Sequence, residues 1–431
     1  MNPLYAIYTV LVSGIFISAF PFFWLYSGLT GRYRKGFKER LGLLPQGLAQ
    51  HLAGSPRIWI HAVSLGEVKV AAPIIGSLKK VLPDSSIIVS STTDHGIDLA
   101  RQIFGKEVLV LYAPIDTIFS IRKALSGLRP DLMLFLETEI WPAWITEARR
   151  AGIKIALING RISVRSIGKY LKFKPFFRDL LRQVDVFSMI SQEDADRVQA
   201  LGAEPRKIEV NGNAKYDLLA TQADPAMERE MRRILNLEPA HPVFIAGSTR
   251  SGEEEMVLDA YEKIIEEFPD MVLIIAPRHI ERTPEIESII KSRRLGYQLR
   301  SELDGNVLKR TKPVVIMNTF GELFKVYSVG TIVFCGASLV PLGGQNPLEA
   351  AVWGKVVFYG PSMEDFLDAK ALLEEMGAGI TVSSSEMLAE KALWFLSHPD
   401  DMNTLGRKSK EAAMKNQKAS EKHANVIARM V

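Results

Sequence analysis

The sequence predicts an α/β protein built from two doubly wound parallel-sheet halves facing a cleft, preceded by an apolar helix. Three observations carry that prediction. Short apolar runs alternate with longer helix-like segments along most of the chain. A polar stretch near the middle interrupts the alternation, which then restarts. Residues 1–31 contain no Asp, Glu, Lys, Arg or His. At 431 residues, with 47% apolar and 24% charged residues, the chain has the length for two cores and the composition of an ordered globular protein.

The elements follow in chain order. Residues 1–31 have the length and apolarity of a membrane-spanning helix. Arg32, Arg34, Lys35, Lys38 and Arg40 come next, against the single acid Glu39, which assigns that side to the cytoplasm. A cleaved signal peptide is the alternative, although Met1-Asn2-Pro3-Leu4 supplies no basic start. A hairpin lying in the interface, allowed by Pro21, is another. Strands are expected at Ile58–Val63, Ile87–Ser91, Val108–Ala113, Leu132–Leu136, Lys154–Ile158, Val186–Ile190 and Ile208–Val210. Between them lie helical stretches such as Lys69–Val81, Gly96–Phe104 and Thr117–Leu128. The stretch 221–241, with Pro225 and Pro239, reads as a linker holding a short helix. The second set of strands is Val243–Ala246, Met271–Ala276, Val314–Met317, Thr331–Cys335 and Val356–Phe358. The expected organisation is therefore a membrane anchor 1–31, a domain 32–220, a linker 221–241 and a domain 242–431, each domain Rossmann-like.

Composition also excludes functions. The lone Cys335 rules out an intrachain disulfide framework and the usual zinc clusters. The 7 His residues show no metal-ligand spacing. A net charge of +4, without a basic stripe carrying aromatics, gives no sign of nucleic-acid binding. The basic surplus near the N-terminus fits anionic lipid head groups better.

Function is read at the carboxyl ends of the strands, where ligands of open α/β sheets collect. Glu137 and Glu139, in Glu137-Thr138-Glu139-Ile140-Trp141-Pro142, close the strand Leu132–Leu136. A carboxylate at a buried strand end is costly unless something uses it. If the segment is extended, the two acids share one face, where they share protons or hold a base in place. Trp141 and Trp144 add an aromatic wall, or simply core. Glu67, in His61-Ala62-Val63-Ser64-Leu65-Gly66-Glu67, follows another strand through a small-residue turn. It suits capping of the helix it opens or general-base work on a hydroxyl. His61 either supports it or is a structural strand residue. Arg161 and Lys215 end further strands of the same half, either as solvated charges or as cations for an anionic ligand.

In the second half, Gly247-Ser248-Thr249-Arg250-Ser251-Gly252-Glu253-Glu254-Glu255 reads as a strand-to-helix turn rich in backbone donors, a phosphate cradle. It lacks GxGxxG spacing and a Walker lysine, which disfavours hydride cofactors and ATP. Pro277-Arg278-His279 ends the next strand with a cation suited to phosphate. Asn346-Pro347-Leu348-Glu349, behind Leu342-Gly343-Gly344-Gln345, reads as a helix N-cap and first turn. That N-terminus accepts an anion, and Glu349 accepts from ribose hydroxyls.

Together these motifs resemble the 3-deoxy-D-manno-octulosonate (Kdo) transferases of lipopolysaccharide assembly. The resemblance covers the anchor, His61 to Glu67, Glu137 to Pro142, Asn159 to Ser163, Gly212 to Asp217, Ser248 to Glu254, Pro277 to Arg282, Gly321 to Leu323 and Gly343 to Ala350. It implies the GT-B architecture of two Rossmann-like domains, CMP-Kdo as donor, a lipid A precursor as acceptor, and no metal or other cofactor. It further implies a place on the cytoplasmic face of the inner membrane, among its lipids. By the same resemblance Glu67 aligns with the catalytic base, and Glu137 and Lys215 with residues that stabilise the transition state. CMP contacts fall on Pro277, Arg278, Phe320, Gly321, Glu322, Asn346, Pro347, Leu348 and Glu349. The chain departs from the family at Arg250 and Gln345, where His is frequent, at Asn318, where Asp is, and at Asp365, where Asn is. All four departures lie on the donor side. Two rivals stay open on the sequence: a GT-B enzyme using a UDP-sugar on another membrane lipid, and a membrane-tethered nucleotide-binding scaffold without turnover.

Overall fold

The structure is a computed structural model that describes residues 3–30, 35–44, 48, 52–239, 241–303, 308–415 and 418–431. Arg32 and Arg34 of the basic cluster, and residue 240 of the expected linker, lie outside the described residues. The chain divides into two compact units, Met1–Lys215 with Lys418–Val431, and Tyr216–Gln417.

The first unit holds strands β1 (Arg57–His61), β2 (Ser86–Ser91), β3 (Leu109–Tyr112), β4 (Leu132–Leu136), β5 (Lys154–Gly160), β6 (Val186–Met189) and β7 (Ile208–Val210). They form a parallel sheet in the order β3-β2-β1-β4-β5-β6-β7. The strands are near-continuous apolar runs because helices cover both faces. Ile58, Ile60, Val89 and Leu134 pack with Val70, Ile74 and Leu78 on one face. Trp59, Met133 and Phe135 pack with Ile121, Trp144 and Ile145 on the other. Helices Leu65–Val81, Asp94–Phe104 and Ile118–Leu128 begin at Ser64, Thr93 and Thr117. Each of these side chains accepts a backbone N–H three residues on, which is why the helices start there. Chain order reverses between β1 and β4, so their carboxyl ends flank the topological switch point where such sheets bind ligands.

The second unit repeats the plan with β8 (Val243–Thr249), β9 (Val272–Pro277), β10 (Tyr297–Leu299), β11 (Val314–Ile316), β12 (Ile332–Cys335), β13 (Val356–Tyr359) and β14 (Gly379–Thr381). Their order is β10-β11-β9-β8-β12-β13-β14, all parallel, with the switch point between β8 and β12. Cys335 is buried at the end of β12, as expected of an inert thiol. The edge strands β10 and β14 were not expected. Each has three half-buried residues, too few to show a period.

Two boundaries differ from the sequence reading. The stretch 221–241 holds the expected short helix, Pro225–Ile234, but belongs to the second unit, where Met231 and Ile234, with Leu235 just beyond the helix, join the core. The domain expected at 242–431 loses its last segment. Helix Ala419–Ala428 belongs to the first unit, where Ala424, Val426 and Ile427 join the core beside helix Leu65–Val81.

The N-terminal helix runs from Pro3 to Thr30. Its segment Leu4–Phe22 is long and apolar enough to cross a membrane. Tyr8 donates its hydroxyl to Asp116 at 2.5 Å, and Asp116 in turn accepts the backbone N–H groups of Ala143 and Trp144.

Candidate active site

The acids of the first unit meet at the switch point. Glu67 sits in the first turn of helix Leu65–Val81 and is only 7% exposed. Its backbone N–H donates to Ser64 Oγ at 3.4 Å, while its carboxylate accepts from Ser64 Oγ at 3.2 Å and from the Val63 N–H at 2.8 Å. Ser64 and Glu67 thus form a reciprocal cap, and the capping reading of Glu67 holds. The cap does not exhaust the carboxylate. Burial first, then the charge of Glu139 and more weakly that of Glu137, pushes its pKa up to about 8.

Glu137 and Glu139 are brought together, though not by an extended strand. Glu137 adopts φ 54° just past β4, and the chain turns there. Its backbone N–H donates to Ile158 O at 3.2 Å, and its carbonyl accepts from the Arg161 N–H at 3.3 Å. Left-handed backbone costs a glutamate about 1–3 kcal/mol and collects at functional sites. Both acids lie near enough for their charges to be felt at Glu67. Glu139 accepts from the Trp141 indole N–H, and burial and Glu137 raise its pKa.

His61 does not support Glu67. It is fully buried, with Nδ1 3.0 Å from Ser90 Oγ and its ring 4.5 Å from that of Trp144. Burial lowers its pKa to about 3, so it is a neutral strand residue in an aromatic core. Trp141 and Trp144 belong to that core as well.

Lys215 is held by an asparagine pair. Asn159 sits at a bulge in β5 with φ 52°, and its Oδ1 accepts the Ala214 N–H at 2.8 Å. Its Nδ2 donates to Asn213 Oδ1, which also accepts the Lys215 N–H at 3.1 Å. His423 donates Nε2–H to Gly212 O at 3.0 Å, and its Nδ1 accepts from Ser188 Oγ at 2.7 Å. The C-terminal helix therefore pins the loop that presents the exposed Lys215. A cavity of about 530 Å³ lined by Arg122, Asp131, Glu147 and Arg150 lies at the amino ends of β4 and β5, away from these groups.

In the second unit the turn Gly247–Glu253 is organised around an acid of its own. Glu253 is buried and accepts the backbone N–H groups of Arg250 at 2.9 Å, Ala337 at 2.6 Å, Ser338 at 2.9 Å and Leu339 at 3.0 Å. Glu253 thus takes one donor of the turn, the Arg250 N–H, and three from Ala337 to Leu339, tying the loop after β8 to the loop after β12. Ser248 takes φ 56° at a bulge in β8, the counterpart of Asn159 in β5. Pro277 ends β9 and is buried, while Arg278 is exposed, its N–H donating to Thr249 O at 3.1 Å. Phe320 is 87% exposed beside Gly321, whose φ is 83°. Glu322 is paired with Arg300 at 2.7 Å and accepts from Thr319. Asn346 is buried, and its Oδ1 accepts the Leu348 N–H at 3.2 Å just after Pro347. The helix this opens, Leu348–Ala351, has only 4 residues, so its dipole contributes little to holding an anion. Glu349 lies 3.5 Å from Asn346 Nδ2.

Comparison with known proteins decides the family. A family model described as 3-deoxy-D-manno-octulosonic-acid transferase (kdotransferase) matches residues 35–218. The 3-deoxy-D-manno-octulosonic acid transferase of Rickettsia felis is 33% identical over 381 residues, covering 87% of this chain and 79% of that one. The chain belongs to the Kdo transferase family. The Kdo transferase of Haemophilus influenzae is 29% identical over 408 residues, 94% of each chain. A bifunctional glycosyltransferase/methyltransferase of Fusobacterium nucleatum is 34% identical over 79% of this chain, which spans 53% of that protein's length. Among solved structures, a glycosyltransferase of Rickettsia africae superposes with a TM-score of 0.61 at 15% identity, covering 86% of this chain and 97% of its own, a likeness of fold. This Kdo transferase family member is accordingly a GT-B glycosyltransferase.

Sequence reading missed three positioning residues of this Kdo transferase family member: His423, Arg300 and Glu253 in its bridging role. Only Glu253 carried a signal, as an acid opening a helix after a buried strand. His423 and Arg300 act across more than twenty residues of sequence, which no local pattern reports.

Proposed function

We propose that this chain transfers Kdo from CMP-Kdo to a lipid A precursor at the cytoplasmic face of the inner membrane, with inversion and without a metal. The observation that carries the reading is the cluster of Glu67, Glu137 and Glu139 at the switch point of the first sheet. Within it Glu67 has a pKa near 8, suited to a general base at neutral pH. In its ionised form Glu67 takes the proton of the acceptor hydroxyl. The hydroxyl oxygen bonds to the anomeric carbon of Kdo as the bond to the CMP phosphate oxygen breaks, and CMP leaves with the electron pair. Attack opposite the leaving group inverts that carbon. Glu137 stabilises the positive charge that grows on the sugar, and Lys215 the negative charge that grows on the phosphate. Arg278, Glu322, Asn346 and Glu349, with Phe320 available to stack a base, are the CMP contacts of this reading.

Mass spectrometry of the lipid after incubation with each donor tests it. Addition of a Kdo unit from CMP-Kdo, in buffer containing EDTA, is expected. Transfer from a UDP-sugar with none from CMP-Kdo would replace the donor assignment. No transfer from either by folded protein would favour a binding scaffold.

A further inference from the structure

The segment from Arg161 to Arg178 holds Arg161, Arg165, Lys169, Lys172, Lys174 and Arg178 and no acid. It folds into helices Val164–Lys172 and Lys174–Leu181, joined at Phe173. The inner face is ordinary: Ile167 and Tyr170, partly buried, pack against the core of the first unit, and the Tyr170 and Phe177 rings lie 4.9 Å apart. The outer face is not ordinary. Arg165, Lys169, Lys172, Lys174 and Arg178 are exposed together with Val164 at 39%, Leu171 at 42% and Phe173 at 65%. Single exposed apolar residues mean little. Arg178 pairs with Asp179 at 3.6 Å, and Lys169, Lys172 and Lys174 stand exposed among large apolar side chains on consecutive short helices, the composition of an interfacial membrane element.

Position agrees with composition. The Phe176 ring lies 5.7 Å from that of Tyr8, so the surface is continuous with the helix that can cross a membrane. Tyr170, on the inner side of the same pair, feels the charge of Glu139. The helix pair therefore borders both the anchor and the acid cluster.

We propose that residues 164–178 are a second membrane contact, docking on anionic phospholipid head groups. Lys169, Lys172 and Lys174 pair with lipid phosphates, and Leu171 and Phe173 enter the boundary between head groups and acyl chains. A second contact fixes the depth at which Glu67, Glu137 and Glu139 face the bilayer. The inference goes beyond the reaction proposed above, since head-group binding needs neither donor nor acceptor.

The test uses the full chain in vesicles. Cys335 is buried, so Phe173→Cys adds an accessible thiol for an environment-sensitive fluorophore. In vesicles containing phosphatidylglycerol the probe emission should shift to the blue and rise severalfold over phosphatidylcholine vesicles. About 1 M salt, where the Debye length falls to about 3 Å, should reverse the rise. Lys169→Gln, Lys172→Gln and Lys174→Gln combined should weaken docking about 10²-fold, while turnover on detergent-dispersed lipid stays unchanged. A probe equally wet in both vesicles, or equally immersed whatever the lipid charge, would overturn the assignment. So would a response to an acidic protein in vesicles lacking anionic lipid, which would make the surface a protein-docking site.

Discussion

At the scale of single residues, Glu67 is a capping acid whose neighbours make it a candidate base. The sequence showed a glutamate after a strand and left both roles open. The Ser64-x-x-Glu67 spacing accounts for the cap, which is local. The shift toward neutrality is not local: it comes from burial and from Glu139 and Glu137, some seventy residues away. The sign follows. In the free protein Glu67 is ionised only as pH approaches about 8, so kcat/KM should rise about tenfold per pH unit below that value and level off above it. Glu139→Gln removes a like charge and should move the break to lower pH, while an unmoved break would detach Glu139 from the base. Stability runs the opposite way. A carboxyl whose folded pKa is raised from 4.5 to about 8 contributes stability present below pH 4.5 and lost as pH rises through 8. Glu67→Gln should therefore gain thermal stability relative to the parent between about pH 5 and 8, read by calorimetry.

At the scale of elements, the long strands and helices were legible because apolar periods extend over enough residues to be seen. Seven strands of the first sheet were placed within a few residues of their observed ends. What stayed hidden were elements whose identity is set across the chain: the edge strands β10 and β14, and the C-terminal helix that leaves its sequence neighbours to pack on the first unit. His423 is the pin of that helix. His423→Ala leaves Gly212 O and Ser188 Oγ without this partner in a buried site, a cost of about 2–5 kcal/mol. Such a loss corresponds to a drop in Tm of roughly 5–15 °C. Because burial lowers the His423 pKa from 6.5 to about 4, its contribution is present above pH 6.5 and lost as pH falls through 4. The parent chain should thus weaken over that acid window, and the variant should show less of this change. Identical Tm values for parent and variant at neutral pH would show that the helix is held by its apolar face alone.

At the scale of the whole molecule, a family, a fold and a reaction class converge on two switch points. The family and the doubled α/β plan were legible from ordered motifs along the chain. The division at Tyr216 and the return of residues 418–431 were not, because contacts rather than composition define them. The apolar helix Pro3–Thr30 and the basic surface of residues 164–178 both suit a protein whose acceptor stays in a bilayer. The central claim is that Glu67 removes the proton of that acceptor. Its most direct test is the single-turnover rate of Kdo transfer by the full chain, at saturating CMP-Kdo and lipid A precursor, for the parent and for Glu67→Gln. Glutamine keeps the size of the side chain and much of its hydrogen bonding while losing its proton affinity, so the rate should fall by about 10²–10⁴ with the fold intact. A folded Glu67→Gln protein that transfers Kdo within a few-fold of the parent rate would contradict the account and leave Glu67 a helix cap.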